Sequence, residues 1–213
     1  MPAEFVALVG PSGCGKTTAL NIVAGLDRAF EGSVEFANGT PVLGYVFQNP
    51  RLLPWRTVRQ NVALVLPKAL RGGALVDEWL AAMDLTAVAG EYPTRLSVGM
   101  ARRVALARAF VVQPDLLLMD EPFVSLDEPT AQRLRALLAA TLERRPATVL
   151  FVTHNLREAI QLADRILVMA PGPTRVVAEV PVAVPRAARD DAMVEAFRAD
   201  LLARPEAAFR VLA

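Results

Sequence analysis

The chain has 213 residues, 54% of them hydrophobic, a length that gives one large domain, or one domain carrying an inserted subdomain, with ample core. Its 23 basic and 22 acidic side chains leave a net charge of +1, which excludes a global field for nucleic acid or a lipid surface. Charged residues or proline interrupt every long apolar run, Met1 to Glu4 carry no signal-peptide pattern, and the lone Cys14 excludes an internal disulfide, so a reducing cytosol is expected.

Residues 4–9 (EFVALV) read as a short buried strand running into a glycine turn, and a helix is expected over about residues 15–24. GSVEF (32–36) and LGYVF (43–47) read as further strands, with ANGTP supplying turn residues between them. Residues 57–66 and 74–83 carry helical periodicity, broken by Pro67 and the Gly72-Gly73 pair. From Asp115 the run DLLLMDEP reads as a central parallel strand buried on both faces. A helix of about fifteen residues from Pro129 follows, then two more apolar strands, ATVLFVTH and DRILVMA. The tail over 186–213 has the pattern of an amphipathic terminal helix. Strands alternating with helices predict an α/β fold with a mostly parallel central sheet, and the helical stretch over about 57–112 reads as an insertion.

Gly10, Gly15, Lys16 and Thr17 fit G-x-x-x-x-G-K-[ST], and the motif lies between a predicted strand and a predicted helix, the context that gives it meaning. Such a loop, Gly10-Pro11-Ser12-Gly13-Cys14-Gly15-Lys16-Thr17-Thr18, wraps phosphates with backbone N–H groups and a helix N-terminus. Lys16, one of only two lysines in the chain, would place its charge on the β and γ oxygens, and Thr17 would ligate Mg2+. A compact ammonium fits between phosphate oxygens in a tight loop where a planar guanidinium is too bulky. Cys14 is expected to pack rather than react. Asp120 and Glu121 end an apolar strand at the sheet edge where open α/β folds place ligands. Asp120 would complete the Mg2+ shell, and Glu121 would polarise water for attack on the γ-phosphoryl group. Together these two elements point to a P-loop NTPase that uses Mg2+.

The order of the remaining motifs resembles the ATP-binding cassette (ABC) ATPases over nearly the whole chain. Gln48 matches the family's Q-loop glutamine, which contacts Mg2+ and the lytic water. LSVGM, residues 96–100, resembles the signature LSGGQ, with Ser97 expected to cap the helix that follows. The resemblance implies that Ser97, Gly99 and backbone donors reach the γ-phosphate bound on a second subunit. Ser125-Leu126-Asp127 resembles the D-loop that crosses that dimer interface, and His154, the only histidine, matches the switch histidine that bonds the γ-phosphate. The implied fold has a RecA-like core over 1–56 and 113–185, a helical signature subdomain over 57–112 and a helical tail over 186–213.

Three departures stand out. Val98 occupies a glycine position of the signature, where a β-branched residue is strained if the backbone needs φ > 0, so weakened turnover is expected. Met100 replaces glutamine, as in some importer subfamilies resembling this one. The family's two leading strands and their adenine-stacking aromatic have no counterpart in the nine residues before the loop, and Phe5 does not match that aromatic. Weak ATP affinity is therefore expected. FQNPRLLPWRTVRQNV, residues 47–62, resembles importer ATPases of the nitrate, sulfonate and taurine group. There Leu52, Leu53, Pro54 and Trp55 would edge the groove that receives a permease helix. The resemblance implies the ATPase subunit of an importer of a small anionic or organic solute. It would work as a homodimer, or with a related ATPase subunit, peripheral on the cytoplasmic face of the membrane under integral permease subunits. A solute-binding protein would act indirectly, and no nucleic acid is involved. The alternatives are a soluble ABC ATPase without a permease and a degenerate cassette with weak hydrolysis.

Overall fold

The computed structural model describes residues 3–37, 39–204, 206 and 208–210. Met1 and Pro2, Asn38 of the expected ANGTP turn and the end of the tail lie outside the described residues. Along the chain run β1 (Phe5–Val9), α1 (Lys16–Val23), β2 (Leu43–Val46), α2 (Val58–Ala63), α3 (Ala74–Ala82), α4 (Val98–Phe110), β3 (Leu116–Asp120), α5 (Glu128–Arg144), β4 (Thr148–Thr153), α6 (Leu156–Leu162), β5 (Arg165–Ala170), β6 (Arg175–Pro181) and α7 (Asp191–Ala203). They fall into two compact units, one of Met1–Glu35, Met119–Glu121 and Thr148–Ala213, the other of Phe36–Leu118 and Pro122–Ala147.

The first unit is a sheet in the order β3-β4-β1-β5-β6, which β3 enters only by its last residues. All five residues of β1 are buried, because parallel strands flank it on both edges and a continuous apolar run is what such a position demands. Phe5 meets Phe151 of β4 edge to face, with ring centroids 5.7 Å apart. The register pairs Val9 with Thr153, so the next residue of each strand, Gly10 and His154, leaves the sheet at the same edge. β6 runs antiparallel to β5 with an irregularity at Val168/Met169, and closes this edge of an otherwise parallel sheet. Neither β6 nor α6 was expected from sequence.

In the second unit β2 lies beside β3. Asp115 ties the two segments, its backbone N–H donating to Val42 O at 2.9 Å while its carboxylate accepts from Val42 N at 2.8 Å. The rest is helical. α2 opens on a reciprocal capping box between Thr57 and Gln60. α4 buries every residue from Val104 to Phe110, as a helix enclosed on nearly all sides must. α5 buries the stripe Ala131, Leu134, Arg135, Leu138 and Leu142 at helical spacing. Trp79 of α3 stacks on Phe110 at 5.2 Å.

The strand expected at residues 32–36 does not form. Residues 31–35 are exposed, and no strand among the described residues pairs with them. A lone extended segment leaves its backbone groups to water, so high β-propensity at Val34 and Phe36 is not enough.

Candidate active site

In the first unit the loop from Gly10 to Thr18 joins the end of β1 to the start of α1. Gly15 occupies the N-cap of α1 at φ 95°, a left-handed conformation that favours glycine, and α1 has no side-chain cap. A Cβ there would also meet Thr174 Oγ1 at 2.9 Å, so this glycine is fixed twice over. Cys14 is wholly buried beneath the loop, which makes it a packing residue, while Ser12, Gly13, Thr17 and Thr18 form its exposed rim and Pro11 is half-buried. Lys16 is only 6% exposed, and its ammonium donates to Gly10 O at 2.7 Å and Pro11 O at 2.9 Å. The charge is thus held inside the curve of the loop, its donors on backbone carbonyls of the same turn.

Thr17 Oγ1 donates to the carboxylate of the buried Asp120, at 3.1 and 3.0 Å from its two oxygens. A hydroxyl and a carboxylate at this separation suit one hard cation. No group of three or more His, Cys, Asp or Glu among the described residues forms a metal cage. That donor set fits Mg2+, which keeps waters and takes phosphate oxygens rather than an all-protein shell.

Glu121, the next residue, sits at φ 43°, an uncommon conformation for a side chain of this size. Its N–H donates to Val152 O at 2.9 Å, holding the turn against β4. Its carboxylate lies 3.1 Å from His154 Nδ1, with His154 half exposed. The histidine turn has its own anchor: Thr153 Oγ1 donates to the buried Glu158 at 2.7 Å, and Asn155 N donates to Thr153 Oγ1 at 3.0 Å. Lys16, Thr17, Asp120, Glu121 and His154 therefore all stand at one edge of the first unit's sheet.

The second unit gathers the other motif residues. Ser97 caps α4 by accepting from Met100 N at 3.2 Å. Val98 is the first residue of that helix and is not among the residues at positive φ, so the expected strain is absent. Its side chain is simply solvent-facing, 57% exposed. At the neighbouring Gly99 a Cβ would meet Thr130 Cγ2 at 2.8 Å, so a larger residue there would have to displace the Thr130 side chain. Asp127 caps α5, accepting from Thr130 N at 3.0 Å, and this hydrogen bond holds its carboxyl below the usual carboxylate range. Ser97, Val98, Gly99, Ser125 and Asp127 line one cavity of about 660 Å3 together with Arg133 and with Arg103, which pairs with Asp84 of the same lining at 3.0 Å.

Gln48 is exposed two residues beyond β2, and its backbone carbonyl accepts from Arg102 Nη1. After it, Trp55 stands 70% exposed on a loop that sequence reading left without an anchor. The anchor is Asn61 of α2, fully buried, which accepts from Leu53 N at 2.7 Å and donates to the carbonyls of Leu53, Arg56 and Thr57. The capping signature at Thr57 marks where this helix begins, but nothing in the sequence marks Asn61 itself.

A family model described as ABC transporter matches residues 1–124. Aliphatic sulfonates import ATP-binding protein SsuB 2 of Burkholderia lata is 45% identical over 211 residues, covering 93% of this chain and 75% of that protein. A protein of the same name from Frankia alni is 53% identical over 171 residues, covering 80% and 68%. Among solved structures, the ATP-binding cassette MJ0796, in a dimeric post-hydrolysis state bound to ADP and Pi, superposes with a TM-score of 0.74 at 31% identity, covering 87% of this chain and 88% of that one. With a family match over more than half its length and relatives of this identity along most of it, the chain belongs to the ABC transporter family.

Proposed function

We propose that this chain is the ATP-hydrolysing subunit of an importer for a small organic anion, with aliphatic sulfonates, named for the relatives, as the solute class. The observation that carries the reading is the convergence of Thr17 with Asp120 and of Glu121 with His154 beside the loop that encloses Lys16. Mg2+, which Thr17, Asp120 and Gln48 would hold, supplies neutralising charge on the phosphate oxygens. Lys16 and the loop N–H groups bind and orient the triphosphate. Glu121 accepts the proton of the attacking water, and His154, whose Nδ1 lies 3.1 Å from that carboxylate, hydrogen-bonds the terminal phosphate.

In this reading Ser97, Gly99 and Asp127 serve the nucleotide of a second copy or of a related ATPase subunit. Trp55 and its loop meet an integral permease subunit, and a solute-binding protein acts through that permease. The chain then sits on the cytoplasmic face of the membrane, in keeping with the lack of any helix among the described residues long and apolar enough to cross one. Functionally we divide it into a nucleotide core over 1–56 and 113–185, a signature subdomain over 57–112 and a tail over 186–213. The degenerate-cassette alternative loses its motive with Val98, whose backbone is unstrained.

The test is steady-state ATP hydrolysis of the wild type and Glu121→Gln. A loss of about a hundredfold or more in kcat with ATP binding retained is expected. Equal rates would remove Glu121 from the chemistry.

A further inference from the structure

The proposed chemistry uses none of the arginines of α4, yet two of them are nearly wholly buried: Arg102 is 5% exposed and Arg108 8%. Burial lowers the pKa of both, with the charge of Arg51 adding to the effect at Arg108. A guanidinium survives out of water only where its donors are engaged, and an acidic partner is the usual means. Neither residue forms an ion pair among the described residues. Their donors go instead to backbone carbonyls, four of them in a single stretch. Arg102 Nη1 donates to Gln48 O and, at 3.4 Å, to Phe47 O. Arg108 donates to Arg51 O at 2.9 Å and to Pro50 O at 2.5 Å.

Four carbonyls within residues 47–51 are therefore turned onto one helix. Arg51 holds the bend from the other side, in the left-handed region at φ 48° with its guanidinium 4.0 Å above the Phe47 ring. The second arm of Arg102 reaches Val124 O at 3.3 Å, immediately before Ser125-Leu126-Asp127. One side chain thus touches the backbone of two motif segments and stems from the helix that Ser97 opens. The planar fork makes this possible, since two nitrogens in fixed geometry span carbonyls that a single ammonium cannot.

We infer that Arg102 and Arg108 are positioning residues that clamp the Gln48 segment to the signature helix, so that Q-loop, signature and D-loop start move as one body. This rests on the reading of Gln48 as the contact to metal and water. Helix α4 then sets where the Gln48 backbone lies, and the amide is presented only while the clamp holds. Arg102 Nε, buried and without a partner, leaves the clamp incompletely satisfied.

The test is a cycle of full-length variants, Gln48→Ala, Arg102→Met and Arg108→Met, together with each Arg variant combined with Gln48→Ala. Kinetics of Mg·ATP hydrolysis are read alongside hydrogen exchange. Each arginine variant is expected to lower kcat by about ten- to a hundredfold with KM within about twofold. Combined with Gln48→Ala it is expected to add little further loss, because both act on one element. Amides of residues 49–53 should exchange faster while those of α4 stay protected. Arg102→Gln, which keeps one donor, should recover part of the rate and carries the test if the Met variants do not fold. Wild-type kcat and exchange in the arginine variants, or losses additive with Gln48→Ala, would overturn the clamp. If Gln48→Ala alone leaves kcat unchanged, it is the role of Gln48 that fails, and the exchange rates still decide whether the clamp exists.

Discussion

In the first compact unit the phosphate loop is held largely by main chain, two strands in register and a left-handed glycine, with one side chain, the Lys16 ammonium, closing it on the carbonyls of its own turn. In the second, the Gln48 segment and the Trp55 loop are held from outside by side chains of helices, Arg102 and Arg108 for one and Asn61 for the other. A main-chain scaffold admits almost no substitution at its few special positions, whereas a side-chain scaffold can be loosened one hydrogen bond at a time. The first suits a site that must grip a constant ligand. The second suits segments that must move and report to a partner.

The sharpest way to break this contrast is Lys16→Arg. The ammonium lies 2.7 and 2.9 Å from two carbonyls at a site only 6% exposed, and a guanidinium cannot enter without displacing the loop. We expect kcat/KM for ATP to fall by about a hundred- to a thousandfold, the scale seen when one donor to a developing charge is lost. A variant with more than a tenth of wild-type activity would mean the loop yields as easily as the segments of the second unit.

Next comes Asn61→Ala. Its side chain supplies the acceptor for Leu53 N and donors for three carbonyls, all at a site with no solvent exposure. Truncation should cost about 2–3 kcal/mol in urea unfolding, from buried groups left without partners. Trp55, 70% exposed on the loop so released, gives a local fluorescence readout, while Trp79, 4% exposed, reports the core. Altered Trp55 emission with an unchanged ATP affinity would sharpen the distinction between the units. Unchanged stability would show that the loop, like the phosphate loop, is held by its own backbone.

What was legible in the sequence follows the same divide. The phosphate loop, Asp120 and Glu121 could be placed because main-chain geometry imposes residue types at fixed spacing, and His154 through its resemblance to the switch histidine of the ABC family. The central strands were readable because double-sided burial leaves a continuous apolar run, as in β1 and β3. Arg102, Arg108 and Asn61 were not, since nothing local separates an arginine that reaches a distant carbonyl from one that faces water. β6 escaped notice because it pairs on one edge only and Arg175, Glu179 and Pro181 interrupt its apolar residues. The opposite error at residues 32–36 has the same cause: propensity was present and the partner was not. Val98 misled because strain was inferred from a family pattern, while the backbone turns into the helix at that very residue.

The smallest expected effect lies at the cap of α5. The hydrogen bond from Thr130 N depresses the Asp127 carboxyl, so the ionised form is favoured by folding. A depressed folded pKa means a contribution that is fully present above the unfolded value and lost as pH falls through the folded one. Asp127→Asn keeps an acceptor of similar capping strength without the titration. The stability difference between wild type and variant should therefore be constant near neutrality and shrink as the pH is lowered through the carboxylate range, read from urea midpoints at each pH. A difference independent of pH would mean that the cap acts through geometry alone, making this side-chain support of the second unit as insensitive to charge as the main-chain support of the first.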